Sequence, residues 1–182
     1  MSQYMNLIGQ NAKKASLEKV NTALKNKILK RYASLLDKER NSIIKENIKD
    51  IKFALEKGLK NNLIDRLTIG HKKLDNIKDS VNKITKLKDP VDNTLEKWSR
   101  PNGLKIKRVS IPIGVIGIIY ESRPNVTSDV ASLCFKSGNA VILKGGSETI
   151  NTNKILAKLF RKALKENKVN ENFIQFVDSK DR

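Results

Sequence analysis

Cysteine, histidine and tryptophan each occur once in this sequence, proline only four times, and aromatic residues make up 5% of the chain. A single cysteine, Cys134, excludes a disulfide within the chain and suits a reducing compartment. A single histidine, His71, leaves no pair of imidazoles to hold a metal, so no metal site is expected. No apolar run is long enough to cross a bilayer. The opening MSQYMNLIGQNAKK lacks the continuous apolar segment of a secretory signal. A cytoplasmic protein without a membrane partner is the expectation.

Acidic residues are also scarce: 19 Asp and Glu against 37 Lys and Arg give a formal net charge of +18. Such an excess raises the alternative of a basic, helical module that binds nucleic acid. Three features weigh against that alternative. Only eight of the cations are arginines, the residue favoured for forked contacts to bases and phosphates. The lysines are spread along helical segments instead of gathered in one block, and few aromatic rings are on hand for base stacking. No nucleic-acid partner is expected.

What remains is enough for one domain with a real core. Residues 1–90 read as helical. Leu24, Ile28, Tyr32 and Leu35 share one helix face, as do Ile44, Ile48, Ile51 and Leu55, with Gly58 as a stop. Leu74, Ile77, Val81, Ile84 and Leu87 form a third stripe, closed by Asp89-Pro90. Residues 94–112 read as a hairpin with one wet face, turning at Pro101-Asn102-Gly103. The alternation of Leu104 and Ile106 changes phase at Val109 and Ile111, which predicts a bulge near Lys107-Arg108. Trp98 reads as a packing or subunit-contact residue.

Residues 113–182 change grammar. VIGII (115–119), AVIL (140–143) and FIQFV (173–177) are short apolar runs of the kind buried on both faces of a sheet. Between them lie two helical stripes: Val126, Val130, Leu133 and Cys134, stopping at Gly138, and then Ile155, Leu156, Leu159, Phe160 and Ala163. Strand, helix, strand, helix, strand implies an α/β parallel sheet with crossover connections. Ligands bind beyond the carboxyl ends of such strands. The polar knot YESRPN follows the first strand and KGGSE the second, so Asn125 and Lys144 are expected on one sheet edge, lining one crevice. Gly114 and Gly117 lie before and inside a strand, so they cannot make a phosphate-binding turn. Gly145-Gly146 does follow a strand and lets backbone approach a ligand.

The block IPIGVIGIIYESRPNVTSDVASLCFKSGNAVILKGGSE, with NNLIDRLTIG, the DPV at 89–91 and the FIQFVDSKDR end, resembles the gamma-glutamyl phosphate reductase family of the aldehyde dehydrogenase superfamily. The resemblance covers nearly the whole chain and corresponds to that family's N-terminal portion. It implies an aldehyde-dehydrogenase-like fold: N-terminal helices, an incomplete Rossmann-like parallel sheet and a β-hairpin arm that bridges subunits in a homo-oligomer. It implies an oxidoreductase of proline biosynthesis that reduces L-glutamate 5-phosphate (L-glutamyl 5-phosphate) with NADPH to L-glutamate 5-semialdehyde and phosphate. It also implies a thioester on a cysteine of a second domain that this sequence does not contain. By that resemblance Asn125 helps stabilise the oxyanion, and Lys144 holds the adenosine ribose of NADP, with Gly145, Gly146, Ser147 and Glu148 beside it. The sequence then reads as a truncated cofactor-binding portion, inactive alone, or as an inactive remnant.

Each of these residues has a plainer reading. Asn125 is also a favoured helix cap, and Lys144 is one more surface lysine. Arg123 either holds a substrate phosphate or carboxylate, or fixes its loop by pairing with Glu121. Ser147 suits helix entry, and Glu148 complements a helix dipole. A carboxylate at Glu148 would also favour NAD over NADP. Cys134, inside an apolar helical stripe, reads as structural and inert.

Overall fold

The three apolar stripes of the first half lie on helices in the computed structural model, which describes residues 3–179, and two further helices stand beside them. The five are α1 (Gln3–Ser16), α2 (Thr22–Lys38), α3 (Arg40–Glu56), α4 (Asn61–Leu67) and α5 (His71–Lys86), with α1 and α4 the two beyond the stripes. Asn21 caps α2 by accepting a hydrogen bond from the Leu24 amide at 2.9 Å, the geometry that makes Asn a good cap. Ile28, Tyr32 and Leu35 of α2 are fully buried, and Leu74, Ile77, Val81 and Ile84 of α5 are nearly so. Leu87, the last member of that stripe, falls at the helix end and is exposed. Gly58 ends α3 in the left-handed region, φ +67°, where a residue without Cβ is favoured.

The stripe expected on α3 is not the face that this helix buries. Ile43, Asn47, Asp50 and Ala54 are buried, whereas Ile48 and Leu55 are exposed and Ile44 and Ile51 half-buried. The buried face lies about one residue round from the apolar one. Asn47 and Asp50 draw it inward because their polar atoms find partners there that isoleucine cannot supply.

Residues 94–112 form the expected hairpin, β1 (Thr94–Ser99) paired antiparallel with β2 (Lys105–Val109). The Arg100 amide donates to Leu104 O at 2.9 Å, and Gly103 takes φ +82° at the turn. Two expectations are corrected. The bulge is in β1, where Leu95 is the extra residue between Thr94↔Val109 and Glu96↔Arg108. The phase change in β2 marked the right place on the wrong strand. Nor is one face dry: all of β1 is exposed, and in β2 only Ile106 is half-buried. Trp98 pairs across the ladder with Ile106 and is 41% exposed, so it is no core residue here.

The remainder alternates as expected: β3 (Val115–Ile119), α6 (Pro124–Lys136), β4 (Ala140–Lys144), α7 (Ile150–Glu166) and β5 (Ile174–Phe176). The three strands are parallel in the order β3-β4-β5. Only β4, flanked on both sides, is nearly buried throughout. β3 is an edge among the described strands, with Gly117 exposed and Ile119 86% exposed, so it is not the doubly buried strand expected of VIGII. On α6, Leu133 is 48% exposed and Val126 and Val130 only half-buried. Thr127, Ser128, Ala131, Cys134 and Phe135 face inward instead. Phe135 packs edge-on against Phe160 and Phe173, and Phe160 against Tyr32, with ring centroids 4.5–5.8 Å apart. This aromatic cluster joins the helical half to the sheet. Lys180, Asp181 and Arg182, part of the FIQFVDSKDR match, lie outside the described residues.

Candidate functional site

β3 and β4 run side by side in register from Val115↔Ala140 to Ile119↔Lys144, so their following loops leave the sheet together. The Tyr120 amide donates to Lys144 O at 3.0 Å and extends the ladder by one bond. Beyond it opens a crevice of about 830 Å³, within the range of ligand sites. Glu121, Ser122 and Arg123 form one wall, and Lys144, Gly145, Gly146, Ser147 and Glu148 the other. Leu59, Leu63, Ile150 and Val177 give it apolar surface, and Arg66 of α4 stands at its side. The two polar knots therefore do meet in one cleft.

Why two glycines stand here is a matter of space. A Cβ on Gly145 would lie 2.3 Å from the Asn153 Nδ2 and 3.1 Å from the Tyr120 ring. One on Gly146 would lie 2.7 Å from Ser122 Oγ and 2.8 Å from Glu148 Oε2. Any side chain would push the two loops apart. Beneath them runs a buried chain of hydroxyls and amides. Thr127 Oγ1 donates to Asn153 Oδ1 at 2.9 Å, so the Tyr120 hydroxyl, 2.6 Å away, donates to Thr127. Asn153 Nδ2 donates to Thr149 Oγ1 at 2.9 Å, and Thr149 reaches Gly146 O at 3.3 Å. Burial pushes the Tyr120 hydroxyl up to about 12 despite the Thr127 bond, so it stays protonated as a donor.

A second polar lattice holds the start of α7. Asp50 of α3 accepts from the amides of Asn151 and Thr152 at 3.1 and 2.8 Å. It also accepts from the Asn151 amide group at 2.8 Å and the Thr152 hydroxyl at 2.6 Å. Asn47 donates to Leu67 O at 2.8 Å and to Thr152 Oγ1 at 3.1 Å, and accepts from the Ile69 amide at 2.7 Å. The orphan amides of the α7 N-terminus are thus satisfied by a carboxylate of the protein itself.

The individual residues sort as follows. Lys144, half-buried at the end of β4, donates to the Ser179 carbonyl. Ser147 opens a 3₁₀ turn, Ser147–Thr149, that leads into α7. Glu148 accepts from Ser122 Oγ and Ser147 Oγ, both at 2.9 Å. Burial works against the charge of Glu148, but its own backbone amide, the two hydroxyls and nearby Lys57 outweigh it, and the carboxyl sits below its usual range. Arg123 makes no ion pair with Glu121 among the described residues; only its amide donates to Glu121 O, at 2.7 Å. Arg123 is exposed and lines the crevice.

Asn125 is neither a cap nor a member of this crevice. Arg123 is the N-cap of α6 and Pro124 its first residue, as suits a proline without an N–H. Asn125 stands one position further on and donates to Asp129 Oδ2 at 3.3 Å. It lines a smaller cavity of about 340 Å³, beside Arg66, Lys73, Asn76, Ser80 and Asp129. Arg66 borders both spaces. Cys134 is buried, and burial pushes its thiol up to about 11, the opposite of what a nucleophile needs.

Sequence reasoning missed Arg66, Asp129 and the Tyr120–Thr127–Asn153 chain. One signal was present: Asn153 shares the α7 face of Leu156, Ala157 and Phe160, where a polar residue is out of place unless partnered. No group of three or more metal-ligating side chains occurs among the described residues, and none of the described helices is long and apolar enough to cross a membrane.

Comparison with protein-family models finds no match. Curated proteins do match. The chain is 46% identical over 166 residues to the gamma-glutamyl phosphate reductase of Persephonella marina, across 91% of this chain and 37% of that protein. It is 48% identical over 185 residues to that of a Hydrogenobaculum species, across 100% of this chain and 42% of the other. Among solved structures, gamma-glutamyl phosphate reductase from Thermotoga maritima superposes with a TM-score of 0.93 at 41% identity, covering 96% of this chain and 43% of that one. The Saccharomyces cerevisiae enzyme gives 0.90 at 30% identity, over 100% of this chain and 47% of its own. A probable aldehyde dehydrogenase from Listeria monocytogenes, at 15% identity and a TM-score of 0.67, shares the fold. The chain spans about two fifths of the length of the curated relatives it matches. With sequence and fold agreeing over that span, the chain belongs to the gamma-glutamyl phosphate reductase family.

Proposed function

We propose that this chain is the dinucleotide-binding part of an enzyme that reduces L-glutamate 5-phosphate to L-glutamate 5-semialdehyde and phosphate, with NADPH as hydride donor. The observation that carries this reading is the crevice beyond β3 and β4, with Lys144 and Gly145-Gly146 on one wall. Its residues fit such a group. Leu59, Leu63, Ile150 and Val177 offer apolar surface to a planar base. Lys144, Arg123 and Arg66 outnumber Glu121 and Glu148 along the lining, an excess of positive charge that suits a 2′-phosphate as well as the pyrophosphate. Since Asp50 already occupies the α7 amides, side-chain cations hold the phosphates in place of a helix N-terminus. Glu148, fixed by two serines, is placed to accept from ribose hydroxyls. When bound, the dinucleotide supplies the hydride.

Asn125, exposed on the first turn of α6, offers its amide to the acyl oxygen that becomes negative when a nucleophile adds to the carbonyl carbon and gives that charge up as phosphate leaves, the role of an oxyanion donor. Cys134 does not supply the nucleophile, for its thiol is buried and raised. The chain of 182 residues is therefore expected to bind NADPH without turning over glutamate semialdehyde. The exposed hairpin, with Leu95, Trp98 and Leu104 in solvent, suits a contact with a second copy.

Titration of the purified chain with NADPH and NADH, followed by nucleotide fluorescence, tests the reading. NADPH is expected to bind more tightly than NADH, and Lys144→Ala to weaken it by about tenfold, one charge-assisted contact. Failure of both nucleotides to bind at millimolar concentration would overturn it.

A further inference from the structure

Lys144 is the side chain on which the nucleotide site leans most, and a lone lysine is a poor anchor. Its flexible stem must be ordered before the ammonium can hold anything. Here the segment after β5 supplies that order. The Val177 amide donates to Leu143 O at 2.9 Å and carries the strand pairing one residue past Phe176. Two residues further on, the Ser179 carbonyl accepts from Lys144 Nζ. Val177 and Ser179 both line the crevice beside Lys144. An ammonium has three N–H donors, so one bond to a carbonyl leaves two for a ligand.

Two other elements hold that segment by its middle residue, the exposed Asp178. The Tyr4 hydroxyl, on the first turn of α1, donates to Asp178 Oδ1 at 2.9 Å and accepts from the Asp178 amide at 3.3 Å. Lys154 of α7 donates to Oδ2 at 2.8 Å. The Lys154 ammonium and then the Tyr4 hydroxyl keep the Asp178 carboxyl below its ordinary 3.8, so the clamp is charged at neutral pH. Helix α1 is a fixed post for it, since Ala12 and Ala15 are fully buried in the same core as Val141 and Ile174. An exposed Lys–Asp pair adds little stability, and a clamp on one exposed residue buries almost nothing. What it does fix is the carbonyl next in the chain. We propose that Tyr4 and Lys154 are positioning residues of the nucleotide site: through Asp178 they set the Ser179 carbonyl, and that carbonyl aims Lys144 at the nucleotide. This role rests on the preceding reading of the crevice and extends the site to helix α1, which does not line it.

Fluorescence titration with NADPH, together with competitive acetylation of the lysines read by peptide mass, tests this on the whole chain. Tyr4→Phe removes one hydroxyl from a residue 39% exposed and should leave the melting temperature near its parent value. It is expected to weaken NADPH binding by about threefold, the scale of ordering one flexible side chain. It should also raise the reactivity of Lys144 toward acetic anhydride by about twofold relative to the exposed Lys30, since a hydrogen bond to the ammonium disfavours the free amine. Lys154→Ala, on the other side of Asp178, is expected to act in the same direction. On a Lys144→Ala background, Tyr4→Phe should change NADPH affinity by less than about 1.5-fold, because the two substitutions act through one contact. Unchanged or tighter NADPH binding in Tyr4→Phe, an equal loss with and without Lys144, or unmoved Lys144 reactivity overturns the proposal. The two readings fail separately: a parent chain that binds no nucleotide sinks the dinucleotide reading, and the reactivity of Lys144 then decides whether the clamp sets that side chain.

Discussion

Helix α3 and the β1–β2 hairpin both break the rule that apolar side chains go inside, and they break it for different reasons. α3 buries Asn47 and Asp50 to 1% exposure while Ile48 and Leu55 stand 46% and 58% exposed. Every buried polar group there has partners: Asp50 takes four hydrogen bonds and Asn47 three. The inversion is complete within the chain. The hairpin leaves Leu95, Trp98 and Leu104 in solvent with nothing buried in exchange. Polarity sets what burial costs, but partners decide whether it happens. The first region contributes to the stability of this chain; the second scarcely does.

The most severe way to break the polar interior is to remove Asp89. Its carboxylate pairs with Lys25 Nζ at 3.0 Å, with side-chain exposures of 10% and 3%. Lys136, also buried, feels its charge. Asp89→Ala would strand the buried Lys25 ammonium and is expected to cost about 3–5 kcal/mol in urea denaturation. A loss under about 1 kcal/mol would show that water replaces the carboxylate. Burial opposes the charge of Asp89, but the Val91 amide, Lys25 and Thr22 overcome that and hold its carboxyl below its ordinary 3.8. Because the folded value is depressed, the stabilisation is complete above the unfolded value, about 4. It is lost as pH falls through the lower folded one. An acid titration of stability should therefore drop below about pH 4, and Asp89→Asn should flatten that limb.

Asp50→Ala comes next. It deprives the α7 N-terminus of its cap and leaves two amides unsatisfied, an expected loss of about 2–3 kcal/mol. Hydrogen exchange should show the first turn of α7 opening before the rest of the helix. Gly145→Ala tests the close approach of the two loops. Its Cβ must displace the buried Asn153 amide, which is expected to cost about 1–2 kcal/mol and to weaken NADPH binding through the shifted Lys144 wall. Smallest is the hairpin: Trp98→Ser should change the stability of the monomeric chain by less than about 0.5 kcal/mol. A larger loss in Trp98→Ser that grows with protein concentration would sharpen the contrast, placing the value of the hairpin in a second copy.

Much of the fold was legible where a segment touches its sequence neighbours or repeats one period. The stripes of α2, α5 and α7 are regular enough that helical geometry alone assigns their faces, and Gly58, Gly103 and Gly138 mark ends that only a residue at positive φ closes cheaply. The alternation of short apolar runs with helices sufficed for a parallel sheet, and the sheet in turn put Arg123 and the Lys144–Glu148 loop on one edge. Where periodicity was read from apolar residues alone it misplaced the buried faces of α3 and α6, because both faces are chosen by polar partners distant in sequence. Asp50 meets residues 151 and 152, and Thr127 meets Asn153. VIGII has the composition of a central strand, yet composition cannot say whether a strand has one neighbour or two.

The sequence by itself determined helices α2, α3 and α5, the hairpin, the alternation of strands and helices after it, the parallel sheet and the family, since each depends on local propensity or on a contiguous motif; α1 and α4 were not marked by any stripe. The tertiary structure alone decided which loops share a crevice, that Asn125 stands outside it with Asp129 while Arg66 borders both spaces, and why both glycines are needed there. Those are facts about distances between atoms far apart in the chain. No single stretch of residues carries them, because a cavity is defined by what several elements leave unfilled between them.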